Sequence, residues 1–136
     1  MTNTRAVQRI NPSSWSSTFR YDQAQLRSFP AQLLTLAGQG SITADGIPVH
    51  DADMVAQVAQ AMDNVQELLG LAGMDLGDVL QLTIHVTDMD AALAAYGEII
   101  GRLDAVGATP PATLVEVSRL AIPSMLVEIT ATAGRR

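Results

Sequence analysis

At 136 residues, 48% of them hydrophobic and none of them cysteine, the chain is long enough to bury a core and is barred from disulfides, thiolate catalysis and zinc–thiolate sites. Its net charge is −6, and all eight basic residues are arginines (Arg5, Arg9, Arg20, Arg27, Arg102, Arg119, Arg135 and Arg136), scattered apart from the last two. Nucleic acids and anionic membranes are bound through clustered cations, so neither partner is expected here.

In chain order, Ala6–Ile10 reads as a first strand, followed by the turn-rich Asn11–Thr18 loop. The apolar run Gln32–Ala37 ends at Gly38-Gln39-Gly40, which predicts a buried strand meeting a loop. A turn at Thr43–Gly46 predicts a hairpin between Leu33–Thr43 and a short piece near Ile47–Val49. Met54, Val55, Val58, Ala61, Met62, Val65, Leu68 and Leu69 then recur at helical spacing. Asp51 or Asp53 caps that helix, and Gly70 and Gly73 end it. Met54 and Met62 belong to its core stripe, while Gln57, Gln60, Asp63 and Glu67 lie mainly off it. Next comes a strand in which Leu82, Ile84 and Val86 alternate with Gln81, Thr83, His85 and Thr87. Asp88 or Asp90 caps a second helix with Leu93, Tyr96, Ile100 and Leu103 as its buried stripe, which stops before Gly107 and Pro110-Pro111. Strands Ala112–Ser118 and Met125–Ala133 follow.

This order fits a single α+β domain over residues 1–136, a mixed β-sheet with two helices on one face. The strands carry Leu, Val, Ile and Thr on both parities, so the uncovered face is expected to be shielded by further copies of the chain in a closed assembly. No apolar run approaches the roughly 20 residues of a spanning helix. The polar start Met1–Arg9 has no apolar segment behind it, so a secretory signal is not expected and the cytoplasm is the expected location.

Several single residues carry chemistry. Glu128 stands between apolar residues of a strand, where a charge is costly unless it is paired or functional. A structural ion pair with Arg119 and a functional carboxylate are both open readings. Glu116 is expected in an interface salt bridge or in water. His85 reads as a hydrogen-bonded structural histidine in preference to a base or ligand, and His50 as a surface residue. With two distant histidines and no cysteine, a metal site has little to build on, and none is expected. Trp15 reads as an anchor of the N-terminal loop in preference to the roof of a cleft. Gly38-Gln39-Gly40 is too short for a dinucleotide loop and precedes no helix, so it is given no phosphate role.

Short motifs then fall into a pattern. Tyr21-Asp22-Gln23-Ala24, Ala37-Gly38-Gln39, Met62-Asp63-Asn64-Val65, Gly73 with Asp78-Val79, Pro111-Ala112 leading to Leu114-Val115-Glu116-Val117, and Val127-Glu128-Ile129 occur in order along the chain. In sequence and spacing they resemble the reactive intermediate deaminase (Rid, YjgF) family over nearly the whole length. The resemblance implies a chorismate-mutase-like fold, a homotrimer with a barrel-like centre, and small-metabolite clefts between subunits. It also implies hydrolysis of reactive imines or enamines, such as 2-aminoacrylate, to ketoacid and ammonia, with no cofactor.

Carried onto these residues, the resemblance makes Glu128 the catalytic, water-positioning carboxylate, with Tyr21 and Gly38 binding substrate. The family's serine before the glycine is here Ala37. Its carboxylate-binding arginine, two residues after Pro111, is here Thr113. Arginine grips a carboxylate through two parallel charge-assisted hydrogen bonds that threonine cannot reproduce. Losing that clamp is expected to cost roughly one to two decades of affinity for an imino acid and to alter substrate choice, as in a divergent subgroup. Arg119 and Arg20 are the candidate replacement clamps, with a structural role preferred for Arg119. The alternative is a non-catalytic trimer that binds a small ligand or partner protein. The ribonuclease activity sometimes attached to the family's name does not suit an acidic chain without lysine.

Overall fold

The computed structural model describes residues 7–135. Strands β1 (Val7–Ile10), β2 (Ala24–Arg27) and β3 (Gln32–Thr35) precede helix α1 (Met54–Leu71). Strand β4 (Val79–Val86) follows, then α2 (Met89–Ala95), α3 (Gly97–Ala105), β5 (Ala112–Glu116) and β6 (Val127–Arg135). The main sheet has the order β3-β6-β4-β5, with β4 and β5 parallel and the other pairs antiparallel. Strands β1 and β2 form a separate antiparallel ribbon. The expected mixed sheet with two helical arms on one face is therefore present, the second arm bending between α2 and α3 at Tyr96 and Gly97. Ala6, at the start of the expected first strand, lies outside the described residues.

Local chemistry accounts for the element ends. Of the two aspartates before α1, Asp53 is the cap, accepting from Ala56 N–H at 3.0 Å. Gly73 follows its last turn in the left-handed region, at φ 71°. Asp88 caps α2 by accepting from Ala91 N–H at 3.1 Å. Glu116 is exposed and acts locally, its Oε1 accepting the Met89 N–H at 2.9 Å and meeting the positive end of the α2 dipole. Met54, Val58, Ala61, Met62, Val65 and Leu69 of α1 are buried in the core that also holds Leu82, Ile84, Val86, Val127 and Ile129. Each large side chain so buried contributes about 1.5–3 kcal/mol.

Val55 and Leu93, placed on the helix stripes, are each 50% exposed, and three further expectations change. Gln57, read as lying off the apolar stripe, is buried, because three backbone groups converge on its amide. The hairpin expected between Leu33–Thr43 and Ile47–Val49 shrinks to an arch, with Ile42 opposite Pro48 and Thr43 N–H donating to Ile47 O at 3.0 Å. Leu33–Thr35 pairs instead with Gly134–Thr132 of β6, a longer partner than the arch offers. Strand β2 was not expected. Its alternation is only four residues long and inverted, with Ala24 and Leu26 exposed and the polar Gln25 and Arg27 half-buried, so it marks no core-facing strand.

The β1–β2 ribbon is tied down by Asp22, which is 1% exposed. Its carboxylate accepts from Arg9 Nε at 2.9 and 3.0 Å, and from Asn11 Nδ2, Gln25 Nε2 and Thr109 Oγ1 at 2.8 Å each. Burial alone would raise its pKa. The donors, Arg9 foremost, override that and hold the carboxyl well below the usual range. The folded value lies below the unfolded value near 4, so the stabilisation is present above about pH 4 and drains away as pH falls toward the folded value. Replacing Asp22 by asparagine is expected to cost about 3 kcal/mol at neutral pH. Thermal melts at pH 7 and pH 3 check this, since the wild type should lose more stability between them than the variant.

Candidate functional site

The alternation that buries one face of the sheet exposes the other. On β4, Leu82, Ile84 and Val86 go under the helices while Thr83 and His85 emerge on the open side. On β6, Val127, Ile129 and Ala131 are buried and Glu128, Thr130 and Thr132 emerge. On β5, Leu114 packs against the core and Thr113 and Val115 are exposed. The registers align these into rungs: Glu128, His85 and Val115 form one, and Thr130, Thr83 and Thr113 the next.

Glu128 and Gly38 meet. Just past β3 the chain rejoins β6, with Gln39 N–H donating to Ile129 O at 2.7 Å and Ile129 N–H returning to Gln39 O at 2.8 Å. This lays Gly38 directly against the Glu128 carboxylate. A Cβ on Gly38 would lie 2.7 Å from Glu128 Cγ and overlap Oε1. Gly38 here makes room for a side chain. Glu128 is half-buried and makes no hydrogen bond or ion pair among the described residues. The ion pair considered with Arg119 is not formed, and Arg119 lies exposed after β5.

Helix α1 holds this corner in place. Asn64 Nδ2 donates to Gly40 O and Ile42 O, each at 3.0 Å. Gln57 Nε2 donates to His50 O at 3.1 Å and Ser124 O at 2.9 Å, and its Oε1 accepts from Leu126 N–H at 2.8 Å. One side chain thus fixes the entry to α1 and the approach to Glu128. Gly40 packs on Met125, whose Sδ accepts the Ser41 N–H at 3.1 Å. The motif Met62-Asp63-Asn64-Val65 combines buried core residues with this clamp.

Tyr21 belongs to a different corner. Its ring meets Trp15 edge-on at 5.9 Å, beside a surface cavity of about 340 Å³ lined by Asn11, Tyr21, Asp22 and the serines of residues 13–17. Asp22 N–H donates to Thr109 O at 3.0 Å, upstream of β5, whereas Glu128 pairs with His85 toward the other end of β4. Within one protomer, then, Tyr21 and the Gly38–Glu128 pair stand apart. Trp15, expected to anchor its loop, is 60% exposed; the buried residue of that loop is Ser16, whose small hydroxyl fits where an indole does not. Arg20 lies 3.5 Å from Asp104 of α3, on the helical side of the molecule and away from Glu128.

His85 departs from its expected setting. It was expected to be a structural, hydrogen-bonded histidine. It is half-buried on the open face, opposite Glu128, and makes no side-chain hydrogen bond among the described residues. The signal was its parity, shared with Thr83 and opposite to that of Leu82, Ile84 and Val86. His50 is exposed, as expected. Among the described residues no group of three or more His, Asp or Glu side chains is arranged to hold a metal ion, and no helix is long and apolar enough to cross a membrane.

The profile of the Endoribonuclease L-PSP family matches residues 13–134. The chain is similar to the 2-iminobutanoate/2-iminopropanoate deaminase of Escherichia coli K12, at 34% identity over 106 residues that span 73% of this chain and 82% of that protein. Among solved structures it resembles YyfB of Yersinia pestis, a Rid-family protein of unknown function, with a TM-score of 0.82 and 35% identity over 94% of this chain and 98% of that one. It also resembles E. coli TdcF with bound serine, with a TM-score of 0.68 and 26% identity over 100% and 98% of the two chains. Matched along most of its length by the family profile and flanked by Rid proteins in both sequence and fold, this chain is a member of the YjgF/Rid family.

Proposed function

We propose that the protein hydrolyses a small imine or enamine metabolite to a carbonyl compound and ammonia, in the cytoplasm, with Glu128 positioning the attacking water. The observation that carries this reading is the Glu128 carboxylate itself, half-buried on the open sheet face, seated against Gly38 and free of any partner among the described residues. A carboxylate in such a place is disfavoured unless it has work to do. In the reaction, water adds to the C=N carbon as Glu128 takes its proton. The same carboxyl passes that proton to nitrogen, giving the carbinolamine; Glu128 then takes the hydroxyl proton as the C=O bond forms and delivers it to the departing nitrogen, so the C–N bond breaks and ammonia leaves. One positioned acid–base group contributes about 10²–10⁴-fold, enough for an electrophile that already reacts with water. The similarity to a 2-iminobutanoate/2-iminopropanoate deaminase supports the same class of substrate.

The working unit in this reading is a homotrimer. Leu33 is 62% exposed and Val115 37% exposed on the open face, and sister chains would cover them. The cleft then lies at a subunit seam, where Gly38, Glu128 and Thr113 of one chain face Tyr21 of the next. Thr113 stands where the family's carboxylate-binding arginine is expected and points to altered substrate choice; Arg119, exposed after β5, is the candidate for a second contact at the seam. An acidic chain whose arginines are dispersed is a poor match for RNA, so ribonuclease activity is set aside.

Ammonia release from freshly generated 2-aminoacrylate tests the proposal. The wild type should accelerate it, and Thr113→Arg should raise kcat/KM by roughly ten- to a hundredfold by restoring a bidentate clamp. Release by neither protein, from this substrate or from imines without a carboxylate, would leave the non-catalytic binder as the better reading.

A further inference from the structure

We infer that His85 is the specificity-determining residue that receives the substrate's carboxylate, in a chain with threonine at position 113. This inference rests on the hydrolase reading above and deepens it by naming the side chain that takes over the carboxylate contact.

The register places His85 between Glu128 of β6 and Val115 of β5, on the uncovered face. Directly opposed side chains in an antiparallel pair have Cβ atoms about 4.5–5.5 Å apart, a separation at which an imidazole and a carboxylate readily join. They do not join here. Glu128 leans the other way, onto Gly38, and neither side chain has a hydrogen-bond partner among the described residues. Both polar groups are therefore left unpaired, side by side on the sheet face that borders the proposed seam. The neighbouring rung offers only the hydroxyls of Thr130, Thr83 and Thr113, and Val115 is apolar. His85 is the one side chain in these two rungs with a nitrogen donor to offer a carboxylate.

The shape of the substrate fits that spacing. In an α-imino acid the reacting carbon is bonded directly to the carboxylate carbon. Water held by Glu128 must reach the first, while the second must be kept away from the charge on Glu128. Placing the carboxylate on the His85 side, with the Thr83 and Thr113 hydroxyls beside it, meets both needs. An imidazole offers a carboxylate one N–H where arginine offers two in parallel, so the grip is weaker and favours compact acids.

The test uses the full-length protein and titrates it by calorimetry with pyruvate, the stable product of 2-aminoacrylate hydrolysis, and with pyruvamide, which has the same shape without the charge. The wild type should bind pyruvate more tightly than pyruvamide. His85→Phe should weaken pyruvate roughly ten- to a hundredfold and leave pyruvamide unchanged. His85→Gln, a donor without charge, should fall between them, and adding Thr113→Arg to His85→Phe should restore pyruvate. Circular dichroism confirms that each variant folds. Unchanged pyruvate binding in folded His85→Phe, or equal affinity of the wild type for the two ligands, overturns the assignment. A wild type that discriminates through His85 yet releases no ammonia would remove the hydrolase and leave His85 as the carboxylate contact of a binding protein, so the two failures are distinguishable.

Discussion

Glu128→Gln is expected to lower the catalysed release of ammonia from 2-aminoacrylate by about 10²–10⁴-fold, the share supplied by one positioned acid–base group. Stability should hold or rise slightly. The wild-type carboxylate is partly desolvated without a partner, and the amide removes that burden without changing shape. Opposite signs for activity and stability separate a working residue from a structural one, because loss of a structural ion pair would lower both. Gly38→Ala provides the companion test by an independent route. Gly38 is not among the residues with positive φ, so alanine suits the backbone. Its new methyl would instead invade the space of the Glu128 carboxylate. That carboxylate is the far end of a flexible side chain and can swing aside, so the fold should survive and the rate should not. We expect a loss of at least about tenfold in kcat, since misplacing a reacting group by an ångström costs up to about 10²-fold. A Gly38→Ala protein with wild-type kcat would show that the carboxylate need not sit where it does, and the catalytic reading would fail with it.

How far the chain could be read before its structure was known depended on the kind of signal. Periodic burial is written into sequence, so α1, β4 and β6 were legible, as was the helix-covered sheet, because Val58, Met62 and Val65 or Leu82, Ile84 and Val86 repeat at the period of their element. Glu128 stood out for another reason, a charge set between the apolar residues of such a repeat on the parity that faces away from the core. Strand β2 was invisible because it is an outlying ribbon held by the polar network around Asp22, and that network joins residues as distant in the chain as Arg9 and Thr109. Gln57 was misread because helical spacing records which face is apolar, while its burial follows from backbone groups of two other segments that only the fold brings near. His85 was misjudged because lone strand histidines usually find a local partner, and its nearest candidate, Glu128, is drawn away by a glycine 90 residues earlier in the chain.

Gln57→Leu is expected to produce the largest loss of stability, about 3–6 kcal/mol. Leucine nearly matches glutamine in volume, so little cavity forms and the change isolates the polar contacts. It strands three backbone groups: the carbonyls of His50 and Ser124 and the N–H of Leu126. Each buried orphan costs about 1–3 kcal/mol, and the leucine's own burial offsets part of the sum. Domains of this size are stable by about 5–15 kcal/mol in total, so the variant should be close to its unfolding threshold at 37 °C. Urea unfolding at 25 °C gives the number; a loss under 1 kcal/mol would mean that water replaces the amide at little cost. Activity should fail sooner than the fold. Leu126 is two residues from Glu128, and releasing its N–H frees the first residues of β6 to shift against Gly38. In mild urea, ammonia release should therefore decline before the loss of helical circular dichroism, whereas in the wild type the two should coincide.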